Sequence, residues 1–382
     1  MIEFDNSFFK FIWCILLFQI IIACNERPVY GQPKHDEAAI ILLNRLKLNQ
    51  TEGRILFGHH DDLLYGYNWK NDQDSKEFDK SDIKEVSGDY PAILGFDLGS
   101  IEYYGLTFER GNTFTAMIDA IKRHHERGGI VTISAHMRNV ITGGSAWDTS
   151  YRGVVKSVLK DEKTRKRFYK VLDLYCEFFS LLVDSTGKRI PLLFRPWHES
   201  NLSCFWWGGS NSSDIDYRRL WQITYDYIVK EKGFKNLVWV YSPSEVTSER
   251  FFNKRYPGDS YVDVIGFECY QRLFEGETIE QSNRRFASTM KQGLSLLNIL
   301  KIKHNKLGAI TETGFAAVPK KDWWTENLYP QLVDSIVSYV FVWGNRFQDK
   351  EKVYGPYRGS IDADNFKEFS SLKECTLLKK MK

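Results

Sequence analysis

A single (β/α)8 barrel is the fold this sequence predicts, on three observations. Eight short β-rich runs recur between residues 54 and 342, most of them followed by an amphipathic stretch or a long loop. Several runs are continuously apolar rather than alternating, the pattern of parallel strands covered on both faces. A chemically capable side chain stands at the end of nearly every run, and in this fold the C-terminal rim of the barrel is where chemistry is done. An open doubly wound sheet is the alternative, but no Gly-x-Gly-x-x-Gly turn follows any early run.

The runs are 54–58, 92–96, 130–134, 190–194, 237–241, 262–267, 307–310 and 336–342. His59, His60, Asp61 and Asp62 follow the first, Asp97 and Glu102 the second, His136 and Arg138 the third, and His198 and Glu199 the fourth. Ser242 and Ser244 come after the fifth, Glu268 and Tyr270 at the sixth, Glu312 at the seventh and Trp343 at the eighth. Singly, each reads as a solvated loop residue or a cap; together they mark one rim. Apolar spacing predicts helices over 115–128, closed by a glycine pair, and over 161–182. Segments 112–115 and 210–216 read as polar loops or caps, and the tail 377–382 (LLKKMK) as frayed.

Composition fits one large domain. The chain has 382 residues, 43% of them hydrophobic, and 52 Lys+Arg against 49 Asp+Glu. A net charge of +3 is too small to imply nucleic acid or a polyanionic partner. Aromatics reach 15%, with 11 Trp, 20 Tyr and 26 Phe, which means either a large core or rings lining a groove for sugars or bases.

The first 24 residues read as an export leader. Its apolar run, 11–22, is short for a membrane span and ends in Ile21-Ile22-Ala23-Cys24, which resembles a bacterial lipobox with Cys24 as the lipidated residue. An ordinary signal peptide or an uncleaved anchor is the alternative, since Lys10 is the one basic residue before the run. Residues 25–35, with two prolines and a glycine, read as a short tether, leaving 36–382 as the domain. The expected location is the outer membrane of a bacterium, with membrane contact only through the lipid. Of the cysteines outside the leader, Cys176, Cys204, Cys269 and Cys375 show no Cys-x-x-Cys spacing, which argues against zinc and leaves their pairing open.

Two fragments carry the chemistry. FRPWHE (194–199) and ITETG (310–314) each put a glutamate after an apolar strand, on the fourth and seventh units. Three strands apart on a barrel wall, Glu199 and Glu312 face each other across the mouth. Glycoside hydrolysis needs such a pair: one acid to protonate the leaving oxygen, a second group to attack or to activate water, and environments that split their pKa values. Retaining enzymes hold the two roughly 5–5.5 Å apart. The plainer reading pairs Glu199 with Arg195 and makes Glu312 a cap or a solvated turn. After Glu199 comes an aromatic stretch, Phe205-Trp206-Trp207, in a glycine-ended loop, where Trp206 and Trp207 suit stacking on pyranose faces. Tyr270, on the strand beside Glu312, is placed to orient it.

FRPWHE, FWWGG (205–209), ITETG, SAHMRN (134–139), GGSAWD (143–148), GFECY (266–270) and FGHHDDLLYG (57–66) together resemble glycoside hydrolase family 26, best known for β-mannanases, over residues 56–345. The resemblance implies that Glu199 is the acid/base and Glu312 the nucleophile of a retaining double displacement. It further implies that His198 and His136 contact sugar near the cleavage point, that Tyr270 hydrogen-bonds the nucleophile, and that Trp343 floors the same sugar. Arg195 and Glu268 join this substrate-binding set. Two positions depart from the family pattern: Cys204 stands where a tryptophan is usual, and Glu268 where aspartate is common.

FGHHDDLLYG offers four metal-type ligands in a row, but neighbouring side chains on an extended stretch or tight turn point apart, leaving about two usable ligands. His60 and Asp61 suit hydroxyl recognition instead, with structural capping as the alternative; no metal and no cofactor are expected. The expectation is a monomeric endo-acting β-1,4-mannanase cutting mannan, galactomannan or glucomannan. Its rivals are a relative with other specificity (mannobiose-releasing, xylan or mixed-linkage glucan), a non-catalytic glycan-binding lipoprotein, and a metal-dependent hydrolase built on HHDD.

Overall fold

A computed structural model describes residues 35–70, 79–105 and 113–381. The leader, Cys24 and residues 25–34 of the tether lie outside the described residues. His35, the last residue expected in the tether, already belongs to the folded body: its Nε2 lies 2.9 Å from Asp263 Oδ1, and the next residue's N–H donates to Lys235 O.

All eight predicted strands are present and parallel. They are β1 (Ile55–His60), β2 (Ile93–Asp97), β3 (Ile130–Ala135), β4 (Leu192–Pro196), β5 (Leu237–Tyr241), β6 (Val264–Gln271), β7 (Leu307–Phe315) and β8 (Tyr339–Val342). Each pairs with the next, and β8 pairs with β1, so the sheet closes into a barrel. A ninth short strand, β9 (Cys375–Thr376), joins the first two residues of β1. The tail after it, expected to be frayed over 377–382, is packed instead as far as it is described, with a 3-10 turn at Leu378–Lys380. Leu377 and Leu378 are buried, and the Leu378 N–H donates to Tyr90 O, because the chain end carries apolar side chains that the barrel's outer layer can cover.

Side chains alternate along each strand, so one set faces the barrel axis and the other the surrounding helices. Leu56, Ile93, Leu193, Val238, Val264, Ala309 and Phe341 form the inner cluster, closed by Ala39, Leu42 and Leu46 of the helix Glu37–Thr51. Their neighbours Phe57, Leu94, Phe194, Trp239 and Ile310 belong to the larger outer core. Higher in the barrel, Gly58 and Gly95 make room for the Phe341 ring: a Cβ on Gly95 would fall 2.1 Å from its Cζ. The helices expected over 115–128 and 161–182 are Thr113–Glu126 and Glu162–Leu181, the latter capped by Asp161 accepting from the Thr164 N–H. Within 210–216, Ser213 caps the helix Asp214–Tyr225 in the same way.

One irregularity matters for the site. Phe267 on β6 is level with Ile310 on β7, but Glu268 is level with Glu312, so Thr311 is an extra residue; β8 shows the same slip, with Ile310 and Thr313 level with Val340 and Val342. This β-bulge lets two successive residues turn inward. Thr311 Oγ1 meets Ser242 Oγ at 2.5 Å, and Glu312 lies beside Glu268 at the barrel mouth. Glu312 therefore stands within β7 rather than after it.

Candidate active site

A cleft of about 1040 Å³ opens at the C-terminal end of the barrel. Its lining includes Glu199, Glu312, His60, Asp61, His136, His198, Tyr270 and Trp343, gathered from the ends of six strands.

Beneath it, Arg195 on β4 organises the carboxylates. Its Nη1 donates to Glu268 Oε1 at 2.5 Å and its Nη2 to Glu312 Oε1, while the Tyr270 hydroxyl donates to Glu312 Oε2 at 2.6 Å. Ser242 Oγ donates to the same oxygen of Glu268 at 2.7 Å. Both oxygens of Glu312 are thus fixed by donors. The simple ion pair of Arg195 with Glu199 does not form, because the guanidinium points along the floor to β6 and β7. Arg195 and Glu268 are also corrected as sugar contacts: they are 3% and 0% exposed and do not line the cleft.

Glu199 sits on a strained turn. Trp197 and Glu199 have φ of +52° and +48°, in the left-handed region that side-chain-bearing residues seldom occupy. The turn is held from several sides. The Glu199 N–H donates to Ser242 O at 2.8 Å, the Tyr217 hydroxyl to Trp197 O at 2.7 Å, and Trp207 Nε1 to His198 O at 3.0 Å. Trp206 Nε1 donates to Met137 O at 2.8 Å. Trp206 and Trp207 are therefore not sugar platforms: both are fully buried against Trp197, with their indole N–H groups spent on backbone carbonyls. Of that aromatic stretch only Phe205 reaches the cleft, stacked on Trp207 with centroids 4.6 Å apart.

Three carboxyl groups and one guanidinium share this floor, so they cannot all be ionised cheaply. Burial, and then the charge of Glu312, push Glu199 up to about 7, and a hydrogen bond with Glu268 works the other way. Burial, with the charges of Glu312 and Glu199, also holds Glu268 well above the carboxylate range. Glu268 Oε2 is buried without a hydrogen-bond partner, which a protonated carboxyl tolerates better than a carboxylate. Arg195 stays charged: burial opposes it, but Glu312 and Glu268 prevail.

On the opposite wall, Asp97 accepts from Ser134 Oγ at 2.5 Å and from the His136 N–H at 3.1 Å, and lies 2.8 Å from His136 Nδ1. His136 Nε2 then meets His198 Nε2 at 3.1 Å. His136 also stacks on Trp147, which is 54% exposed at the cleft edge. His60 stacks on Trp343, centroids 3.9 Å apart and planes 11° from parallel, and burial lowers its pKa to about 3.

HHDD does not follow strand alternation: β1 ends at His60 and Asp61 turns with φ of +55°, so these neighbours face the same way, with His60 Nε2 3.3 Å from Asp61 Oδ2. His60 and Asp61 line the cleft, with Asp61 accepting from the Tyr65 hydroxyl at 2.5 Å, whereas His59 and Asp62 pair with each other at 3.0 Å outside it. Asp62 is further bound by Ser81. Among the described residues no group of three or more His, Cys, Asp or Glu is arranged to hold a metal ion. Cys176, Cys204, Cys269 and Cys375 are all unpaired, and only Cys204 is exposed, at the cleft.

Asp97, Trp147 and Tyr354 are lining residues absent from the sequence-derived set. Asp97 ends the second strand and Trp147 lies in GGSAWD, so both carried a positional signal; Tyr354, in the segment after β8, carried none.

A closed barrel with two facing glutamates, a buried arginine locking one of them and an open aromatic cleft defines the class: a glycoside hydrolase. The sequence model of glycosyl hydrolase family 26 matches residues 32–303, and the chain belongs to that family. A solved GH26 β-mannanase from Bacteroides ovatus superposes with a TM-score of 0.82 at 34% identity, covering 90% of this chain and 95% of that one. A modular endo-β-1,4-mannanase from Cellulomonas fimi gives 0.80 at 26% identity, covering 92% and 78%. A mannan endo-1,4-β-mannosidase of Bifidobacterium adolescentis is 29% identical over 329 residues, 81% of this chain, and one of Bacillus subtilis 28% identical over 238 residues, 58% of it. The chain spans 32% and 60% of the lengths of those two relatives.

Proposed function

We propose that this protein is an endo-acting β-1,4-mannanase that hydrolyses mannan, galactomannan or glucomannan with retention. The observation that carries the reading is the division of labour between the two glutamates. Glu312 has both oxygens fixed by the Arg195 guanidinium and the Tyr270 hydroxyl, whereas Glu199, raised to about 7, carries its proton below neutral pH and in about half of the molecules at pH 7. Glu312 attacks the anomeric carbon while Glu199 protonates the departing glycosidic oxygen. A glycosyl ester on Glu312 results. Water then enters, Glu199 takes its proton, and the ester bond breaks to return both groups to their starting states. The relatives named as mannan endo-1,4-β-mannosidases support β-mannan as the substrate class.

A digest of purified protein against β-mannans, xylan and mixed-linkage glucan tests the reading. Early loss of mannan viscosity with mixed oligosaccharides supports it; mannobiose as the sole early product would replace endo by exo action. Glu312→Ala is expected to bind mannan and lose several orders of magnitude in turnover, and near-normal rates in that variant would refute the assignment.

The leader reading is also proposed: export, lipidation at Cys24 and residence in the outer membrane, supported by the apolar run 11–22 and the Ile21-Ile22-Ala23-Cys24 tetrapeptide. Cys24→Ala is expected to release the protein from the membrane fraction. Continued membrane retention of that variant argues against lipidation.

A further inference from the structure

Apart from its histidines, the charged side chains lining the cleft fall into two sets. The acids Asp61, Asp97, Glu199 and Glu312 are buried or partly buried on the floor, while Lys70, Arg272, Arg346 and Lys352 are all exposed at the rim. Among the described residues, no exposed acid lines the cleft. The whole chain carries a net charge of only +3, so this segregation is local.

The four cations form one patch around the segment that follows β8. Arg346 donates its N–H to Lys352 O at 2.8 Å, Lys70 Nζ sits 4.6 Å above the Phe347 ring, and the charge of Arg272 is felt at Tyr354. Tyr354 in turn packs on Tyr270, centroids 5.6 Å apart, which binds Glu312. Among the described residues little of this charge is spent. Arg346 Nε approaches Asp349 no closer than 3.9 Å, and Lys70, Arg272 and Lys352 have no ion-pair partner among the described residues.

An unsubstituted mannan gives such a rim little to do. Hydroxyl groups offer an ammonium or guanidinium only what water already offers, and immobilising a long side chain costs entropy. A carboxylate offers charge-assisted hydrogen bonds, bidentate with arginine, and long-range attraction besides.

We propose that the cleft accepts β-mannan chains carrying uronic acid branches, with the branch carboxylate received by the rim formed by Arg272, Arg346, Lys352 and Lys70. The proposal rests on the mannanase reading and adds the chemical class of the substituent.

The test compares two mannooligosaccharides: one with a single glucuronosyl branch, and the same compound with its carboxyl group reduced, which keeps the shape and removes the charge. At low ionic strength the charged compound is expected to show a kcat/KM about five- to thirtyfold higher, the size expected if two or three exposed ion pairs form in the productive complex. Salt at about 0.5 M, where the Debye length shrinks from roughly 10 Å to a few ångströms, is expected to erase most of the difference. In Arg272→Gln, Arg346→Gln and Lys352→Gln the charged-to-reduced ratio is expected to fall severalfold. These side chains are exposed, so the folded state is expected to tolerate each change. Equal rates for the two compounds at low salt, or cleavage blocked by the carboxylate, overturn the proposal while leaving the mannanase reading intact. Failure to cleave either compound or plain mannan removes that reading and the proposal with it.

Discussion

His136 and His198 meet Nε2 to Nε2, 3.1 Å apart, on the wall opposite Glu312. Only one of two facing nitrogens can donate, so the pair must be asymmetric. Asp97 breaks the symmetry. Burial pulls His136 down, but the Asp97 charge and hydrogen bond overcome it and raise its pKa; burial, with Arg195 and His136, keeps His198 far below the ordinary histidine value. With its Nδ1 on Asp97, His136 is the donor through Nε2, and His198, kept neutral by its burial, is the acceptor.

Asp97→Asn is expected to lower the His136 pKa and reduce kcat/KM roughly tenfold or more, the value of a hydrogen bond to a charged group. Nitrogen NMR titration of the histidines reads the first effect and kinetics the second. The sign for stability follows from the raised folded value: wild type gains from this pair below the ordinary histidine pKa of 6.5 and loses the gain as pH rises past the folded one. The stability difference between wild type and Asp97→Asn is thus expected to shrink with rising pH. An unmoved His136 titration would count against the asymmetry.

Glu199, at about 7, predicts the alkaline limb of the pH–rate profile, since the protonated form is the acid for departure of the glycosidic oxygen. Activity is expected to fall by half near pH 7 and tenfold per unit above it. Removing the Glu312 charge removes one of the two leading causes of the elevation. Carbon NMR of Glu312→Gln is therefore expected to show Glu199 titrating at lower pH than in wild type. In Glu199→Ala, mannan hydrolysis is expected to collapse, while an aryl mannoside with a dinitrophenolate leaving group, needing no protonation, retains much of its first-step rate.

Tyr270→Phe removes the hydroxyl that donates to Glu312 Oε2 at 2.6 Å. A loss of about ten- to hundredfold in kcat/KM is expected, corresponding to roughly 1.5–3 kcal/mol for a hydrogen bond to a charged group. Unchanged kinetics would show that Arg195 alone suffices to hold the nucleophile.

The two kinds of tryptophan separate cleanly. Trp207→Ala empties a fully buried position and frees the His198 carbonyl, so a loss of about 3–5 kcal/mol in unfolding free energy is expected. Trp147→Ala, at a position 54% exposed and stacked on His136, is expected to cost within about 1 kcal/mol of stability and to raise KM for mannan. Denaturant melts and steady-state kinetics on both variants decide it.

Chelator treatment checks the reading of HHDD. With His59 bound to Asp62, and His60 stacked on Trp343, hydrolysis is expected to continue undiminished in EDTA. Activity lost to EDTA and restored by a divalent cation would overturn that reading.

What the sequence by itself determined was the periodic part of the molecule. Apolar runs followed by polar ends placed all eight strands of the barrel and put Glu199, Glu312, His60, Asp61, His136, His198, Tyr270 and Trp343 at one rim, because strand length and the polar residue that ends each strand are local properties and continuous apolar runs mark strands covered on both faces. Long-range packing decided the rest. Ile310-Thr311-Glu312 does not announce that β7 carries one residue too many for its neighbours, yet that bulge turns Glu312 inward beside Glu268. Nor does Phe205-Trp206-Trp207 say which rings face sugar and which face Trp197; glycines and polar neighbours suggested an open loop, and the hydrogen-bonding needs of a strained turn drew two of the three inside. Arg195 could have chosen Glu199, four residues away, but took partners 73 and 117 residues distant, since only the closed barrel fixes which carboxylates lie within its reach.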